Sequence, residues 1–360
     1  MAIDWTKSMQ QTFEYYEVNP TTWLDEKKLT MITSSSIERD SEADTLGSAS
    51  IELDEAIGEC YIRIYLIAIQ NGRREKIPLA TVLAQTPSFS FDGKQMSYSI
   101  DAYTPLTELT ETQPPIGYFT PKNDNILKSV TSMIKNHCRA PVVETESHDI
   151  LSSNFVTNTD DTWLSYISDL ILNAKHYLDL DAMGKILLAP TQNLNAMTPI
   201  WTYTDDNSSI LYPEIKVDKD LYSVPNIVEV VYTNSDEGNS SKTYYARAVN
   251  DDPNSVTSTI SRGRNIVTRE TSPNFAGVPD QKMVDEYAQN LLKQLSSIQC
   301  TVSYKHAYCP VRVNDCVLLN YKKAGINNVK AKVINQKIVC EPGCPVSEKA
   351  TFSIDLWEGD

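Results

Sequence analysis

The sequence predicts a β-rich α+β fold: two antiparallel β-barrel domains with a small α+β domain inserted between them. Three observations carry the prediction. Period-two alternation of apolar and polar residues fills the first third of the chain and returns from Cys300 to Trp357. Helical spacing first appears at Ile126 and recurs ahead of Cys300. The connections inside each β region are short, which favours antiparallel neighbours.

In chain order, Lys28 to Ser34 and Ser48 to Leu53 read as strands flanking the acidic stretch Ile37 to Leu46. Cys60 to Gln70 is apolar enough for a strand buried on both faces. Asn71-Gly72 is the strongest hairpin signal in the chain, because a two-residue type I′ turn needs positive φ twice. Pro78 to Phe91 returns, Asp92-Gly93 turns again, and Met96, Tyr98 and Ile100 alternate along Gln95 to Tyr103. These strands predict a barrel or sandwich. Thr104 to Pro121, with Pro105, Pro114, Pro115 and Pro121, reads as a linker.

Asn123 or Asp124 is expected to cap a helix over Ile126 to Cys138, with Ile126, Leu127, Val130, Met133 and Ile134 on one side. Thr159 or Asp160 is expected to cap a second helix, whose stripe is Trp163, Leu164, Ile167, Leu170 and Ile171. A hairpin follows, Tyr177 to Leu180 and Lys185 to Ala189, turning at Asp181 to Gly184. Asn226 to Thr233 and Thr243 to Val249 form another hairpin, which completes the first barrel or begins the second.

Pro279 and Asp280 suit the first turn of a helix striped by Met283, Val284, Tyr287, Ala288, Leu291, Leu292, Leu295 and Ile298. Then Cys300, Val302, Tyr304, His306 and Tyr308 share one strand face. Strands over Asp315 to Tyr321, Val329 to Cys340 and Lys349 to Trp357 follow, and a closed or half-closed barrel crossed by the helix is the expected product, since closure removes edges. The domains expected are 1–118, which part of 213–260 completes in one of the two readings of that hairpin, then 119–212, then 213–360.

Length and charge narrow the function. At 360 residues the chain can hold two or three cores. Its net charge of -15 argues against general nucleic-acid binding, which needs clustered Lys and Arg. The sequence shows no apolar run near membrane-spanning length and no signal peptide, so a soluble protein made in the cytosol is expected. Seven cysteines, an odd count, read first as reduced thiols.

Catalysis has little support. The sequence has no G-x-S-x-G elbow, no H-E-x-x-H, no Walker loop and no G-x-G-x-x-G, and His137, His148, His176 and His306 are scattered. The pairs Asp160/Asp161, Asp205/Asp206 and Asp251/Asp252 fall in predicted loops or caps, and Asp251 to Ser255 lacks the spacing of a calcium loop. The nineteen tyrosines mostly take regular strand positions, which suits packing better than sugar binding.

The cysteines leave three readings open. Cys309 and Cys316 fall in or beside one loop of the predicted meander, and Cys340 and Cys344 at another on the same end. They could hold zinc or an iron-sulfur cluster, with Cys300 or His306 as a substitute ligand. They could be plain buried thiols. A disulfide such as Cys309 to Cys344 is the third reading.

Several runs carry a family resemblance: Asn226-Ile-Val-Glu-Val-Val-Tyr232, Tyr244 through Ser255, Ser261-Arg-Gly-Arg264, Tyr308 through Cys316, Asn328 through Ile334 and Cys340 through Val346. Together they resemble the baseplate hub, or tail hub, proteins of tailed bacteriophages. The resemblance spans most of the chain from Leu24 and is clearest after Ser223. It implies a structural, non-enzymatic homotrimer whose protomers each contribute two tail-tube-like barrels to a pseudo-sixfold ring in the virion tail tip. Implied partners are the tail tube or distal tail protein, the tip or spike protein and the tape-measure C-terminus. DNA would pass through the lumen without specific binding, and an acidic wall would repel it over a Debye length of roughly 8 Å. The alternatives are a tip-associated cell-wall-degrading or glycan-binding module and the hub of a non-viral contractile injection system.

Overall fold

The computed structural model describes residues 3–91, 93–94, 96–206, 209–219, 221–222, 224–234, 242–271, 273, 280–296 and 298–354. The chain divides into two compact units, one of residues 1–215 and 303–350, the other of residues 216–302 and 351–360.

The first unit begins with the strands β1 (Gln10–Val18), β2 (Asp25–Leu29), β3 (Ile32–Asp40), β4 (Gly47–Leu53), β5 (Cys60–Gln70), β6 (Arg73–Phe91) and β7 (Met96–Tyr103). The short pair β8 (Phe119–Thr120) and β9 (Phe155–Val156) brackets helix α1 (Ile126–His137), and α2 (Trp163–Leu172) leads into the hairpin β10 (His176–Leu180) and β11 (Ile186–Pro190). Next come β12 (Trp201–Thr204) and β13 (Leu211–Lys219). The second unit holds β14 (Ile227–Asn234), β15 (Lys242–Val249), the single turn α3 (Thr259–Arg262), β16 (Val267–Thr271) and α4 (Gln281–Ser296). The chain ends with β17 (Ile298–Ala307), β18 (Cys316–Tyr321), β19 (Ile326–Val339) and β20 (Pro345–Ile354). The unit boundaries fall inside β13, β17 and β20.

The expected barrels do not form. The described strands build one large mixed sheet of 13 strands in the order β13-β17-β20-β19-β3-β4-β7-β6-β5-β1-β2, with β18 on β19 and β12 on β18. Among the described residues, no sheet closes on itself or curls strongly. The cause lies in β19. Its first half pairs with β18, Cys316 opposite Lys332, and its second half pairs with β3, Gln336 opposite Arg39. The two β regions are thereby fused into one open sheet. The β12–β18 pair is parallel, which no short connection foretells. One edge strand, β2, is short and carries Asp25, Glu26, Lys27 and Lys28, a composition that discourages further pairing.

One core runs through both fused regions. Ile51, Ile64, Leu66, Leu79 and Ile100 pack with Tyr308, Ile338, Cys340, Cys344 and Val346. β5 is buried on both faces as expected, and its opposite face sends Tyr61 into a second core with Leu127, Ile134, Leu164 and Ile167 of α1 and α2. The predicted linker is part of that core: Pro105, Leu106 and Leu109 are buried in a 3-10 turn over Pro105–Leu109.

Both helix stripes are as read, with different caps. Asn125 accepts the Lys128 N–H at 3.0 Å, and Thr162 forms a reciprocal capping box with Ser165. Asn71 and Gly72 take φ of 51° and 77°, as a type I′ hairpin requires. Of the Asp92-Gly93 turn, Asp92 lies outside the described residues. So do Pro279 and most of the turn between β14 and β15.

In the second unit, β15-β14-β16 form a sheet in which β14 and β16 are parallel. Val284, Ala288 and Leu292 of α4 pack on Val228, Val230, Ala246 and Ala248 of β14 and β15. The expected seat of this helix across the C-terminal meander is therefore corrected: the apolar residues it meets belong to the hairpin before it. Asp280 accepts the Met283 N–H at 2.8 Å.

Candidate functional site

Tyr304 and His306 share one face of β17, as the alternation requires, and Tyr203 of β12 meets them. His306 is fully buried. Its Nε2 lies 3.3 Å from Glu348 Oε2 and 3.1 Å from the Tyr203 hydroxyl, while Nδ1 is 2.8 Å from the Ala307 carbonyl. Tyr304 donates its hydroxyl proton to Glu348 in a short hydrogen bond. Gln336 donates to Glu348 at 2.5 Å and to the Val311 carbonyl at 3.1 Å, and accepts from Arg39 at 3.0 Å. Arg39 also donates to the Leu79 carbonyl at 2.5 Å. Burial opposes the charged form of His306, but hydrogen bonds with Cys309 and Glu348 and the nearby carboxylate outweigh it, raising the imidazole to about 10. An imidazolium–carboxylate pair therefore ties β12, β17, β19, β20 and β3 together inside the sheet. Cys309, 3.3 Å from the Tyr203 hydroxyl, completes a Cys-His-Glu grouping. Every member is buried and shielded from solvent.

The zinc or iron-sulfur expectation is overturned. Among the described residues, no three His, Cys, Asp or Glu side chains are placed to hold a metal ion. Cys300, Cys309, Cys316, Cys340 and Cys344 are buried free thiols. Cys340 and Cys344 sit in the apolar core, and burial raises Cys340 to about 11 and Cys344 further, which disfavours the thiolate a metal needs. Burial also raises Cys316 and Cys300. His306 has both ring nitrogens engaged. Nearness of two loops at one end of a sheet does not aim four side chains at one point.

Three of the runs that carried the resemblance, those between Asn226 and Arg264, form a buried polar knot in the second unit. Asn226 donates to the Arg264 carbonyl at 2.9 Å and accepts the Ile266 N–H at 2.7 Å. Asn250 donates to Ser255 Oγ at 3.0 Å, and its N–H reaches the Asn226 carbonyl at 2.8 Å. Arg262 donates to the carbonyls of Val224 and Leu221. The motif holds the 250–266 loop against β14. It is scaffold.

The outer end of the β6–β7 hairpin is the surface most suited to a partner. Opposed residues share a face, so Phe89 with Tyr98 and Phe91 with Met96 form one side, and Ser88 with Ser99 and Ser90 with Ser97 the other. The serine hydroxyls join in pairs at 2.7 and 2.8 Å. Beyond Ala84 the described pairing of β6 is with β7 alone, and that of β4 with β7 stops at Tyr98. The core-facing stripe therefore runs out of the body: Ile100 is 2% exposed, Met96 53%, Phe91 61% and Phe89 67%. The sequence reading treated Met96, Tyr98 and Ile100 as one ordinary strand face. The signal available was length, since the alternation runs on to the Asp-Gly turn, past what a seven-residue β4 can cover.

No protein-family model matches the sequence, and no curated protein does. Solved structures match in fold. A tail protein from Neisseria meningitidis MC58 aligns with a TM-score of 0.63 at 10% identity, over 96% of this chain and 98% of its own. The likeness is to phage tail proteins. The 43 kDa tail protein of prophage MuSo2 from Shewanella oneidensis gives a TM-score of 0.63 at 11% identity, over 94% of this chain and 98% of that one. The Francisella PdpA-VgrG complex gives 0.55 at 8% identity, covering 96% of this chain and 53% of the matched chain. At these identities the kinship is one of fold. Among the described residues, no helix is long and apolar enough to cross a membrane.

Proposed function

We propose that this chain is a structural hub protein of a phage tail, a homotrimeric ring at the virion tail tip that joins the tail tube to the tip or spike. The observation that carries the reading is the end-to-end fold likeness to two tail proteins, nearly the full length of both partners in each comparison. The role needs no chemistry, and the single Cys-His-Glu grouping described is sealed from solvent. The ring would leave a passage for DNA, with a net negative wall drawn from the chain's charge of -15.

The arm suits contact with a second copy. It offers apolar side chains on a chain whose net charge of -15 otherwise repels its own copies. Its exposed aromatic and thioether area is roughly 350 Å² against the roughly 800 Å² per partner of a stable interface. It therefore anchors a larger contact. Native mass spectrometry tests the reading: a mass three times 40.4 kDa supports it, and a monomer that stays monomeric with tube and tip proteins present overturns it.

The fold likeness to the Francisella PdpA-VgrG complex favours a second reading, the hub of a non-viral contractile injection system.

A further inference from the structure

The α+β segment holds a cleft of about 580 Å³. This is well within the range of small-ligand sites, roughly 300 to 1,000 Å³. One wall is α1 and the other is the chain from Thr112 to Pro121 with the start of α2. The wall is aromatic at one end. His137 stacks on Trp163 at 4.1 Å with 19° between planes, Tyr118 meets Trp163 edge-on at 5.0 Å, and Phe119 is 47% exposed.

Along α1, Ser129, Ser132 and Asn136 line the cleft at spacings of three and four residues, a ladder of about 10 Å at 1.5 Å per residue. Gln113 faces them from the other wall. Among the described residues none of these four side chains has a protein hydrogen-bond partner. They offer hydroxyls and amides, each both donor and acceptor. Asp124 is the one charged residue in the lining, and no Lys or Arg is present there. Burial lowers the His137 imidazole, so that ring is neutral near pH 7.

We propose that this cleft binds a neutral oligosaccharide. The C–H face of a sugar ring packs on aromatic carbon while its hydroxyls both donate and accept, which matches an aromatic end beside an uncharged ladder of hydroxyls and amides. Phosphorylated and sulfated ligands find no cation here. A proline-rich peptide has carbonyls that need donors and few N–H groups to use the acceptors, so it fits the ladder less well.

The test is saturation-transfer NMR and calorimetry on the full chain with chitotetraose, cellotetraose and maltotetraose at millimolar concentration. At least one is expected to bind. Asn136→Ala is expected to weaken it about fivefold or more, by loss of a hydrogen-bonding amide. Ser132→Trp, which fills the cleft from an exposed helix position, is expected to abolish it. Unfolding midpoints should match the parent in both, since Ser132 and Asn136 are exposed. The proposal is overturned if none of the three saccharides binds, or if both variants bind like the parent. It is equally overturned if a proline-rich peptide binds in a manner Ser132→Trp abolishes while no saccharide does.

Discussion

Glu348→Gln is the substitution that tests the buried ion pair most sharply. The wild-type carboxylate takes hydrogen bonds from Tyr304 and Gln336 and faces His306 at 3.3 Å, all without solvent. A glutamine retains one acceptor for Tyr304 but turns an N–H₂ toward Gln336 and the imidazole, and the imidazolium loses its counter-charge. Breaking one side of a buried pair costs about 3 to 5 kcal/mol. The pH dependence is an independent measure. His306 rises from its ordinary 6.5 to about 10 in the folded protein, so its contribution is full below the unfolded value and is lost as pH climbs through the folded one. At pH 7 that contribution is roughly 4 kcal/mol, and it vanishes above about pH 10. Urea unfolding read by tryptophan fluorescence is the assay, because Trp5, Trp23, Trp163 and Trp201 all lie in the unit that contains the pair. Wild-type stability should fall steadily between about pH 7 and 10, and the variant should start lower and stay nearly flat. A variant that loses under about 1 kcal/mol and keeps the wild-type slope would refute the ion-pair account.

Other outcomes follow from single contacts. Gly184→Ala places a Cβ 2.7 Å from Thr81 Cβ at a φ of +73°, and should cost about 1 to 3 kcal/mol by urea midpoint. Gly72→Ala, at φ +77° with open space, should cost less, and equal costs would show that the Thr81 contact is unimportant. Arg63→Met removes the guanidinium from Asp25, which keeps Tyr65 and Lys76, and takes its hydrogen bonds from the Thr81 hydroxyl and the Trp23 carbonyl, so a loss of about 1 to 3 kcal/mol is expected in the same assay. Exhaustive chelation should leave both the melting temperature and the native mass unchanged, since Cys300, Cys309, Cys316, Cys340 and Cys344 are buried free thiols; a fall in either would restore a bound metal. Phe89→Ser with Phe91→Ser should weaken self-association without lowering the unfolding midpoint, as judged by sedimentation and urea titration; a folded variant that assembles normally removes the arm from the interface.

Local features of the fold were legible in the sequence. Asn71-Gly72 specifies its own turn, and the stripes of α1 and α2 announce the residues they bury. What failed were inferences about distant partners. Nothing local to Arg39 or Gln336 says that they pair, and that β3–β19 register is what fuses two expected barrels into one sheet. The parallel pairs β12–β18 and β14–β16 leave no trace in short connections. The His306 node had one faint signal: Glu348 falls in phase with the buried Val346, Ala350 and Phe352, where a carboxylate needs a partner. The cysteine expectation failed because strand order places loops, while side-chain direction and burial decide ligation.

The central claim is that copies of this chain close into a threefold ring around a passage. Electron microscopy of the purified chain, alone and with its tube and tip neighbours, tests it most directly. The account predicts a threefold ring with the β6–β7 arm seated on the adjacent copy and a net negative inner wall. A twofold assembly, an isolated monomer in the presence of both neighbours, or a ring lined with Lys and Arg would contradict it.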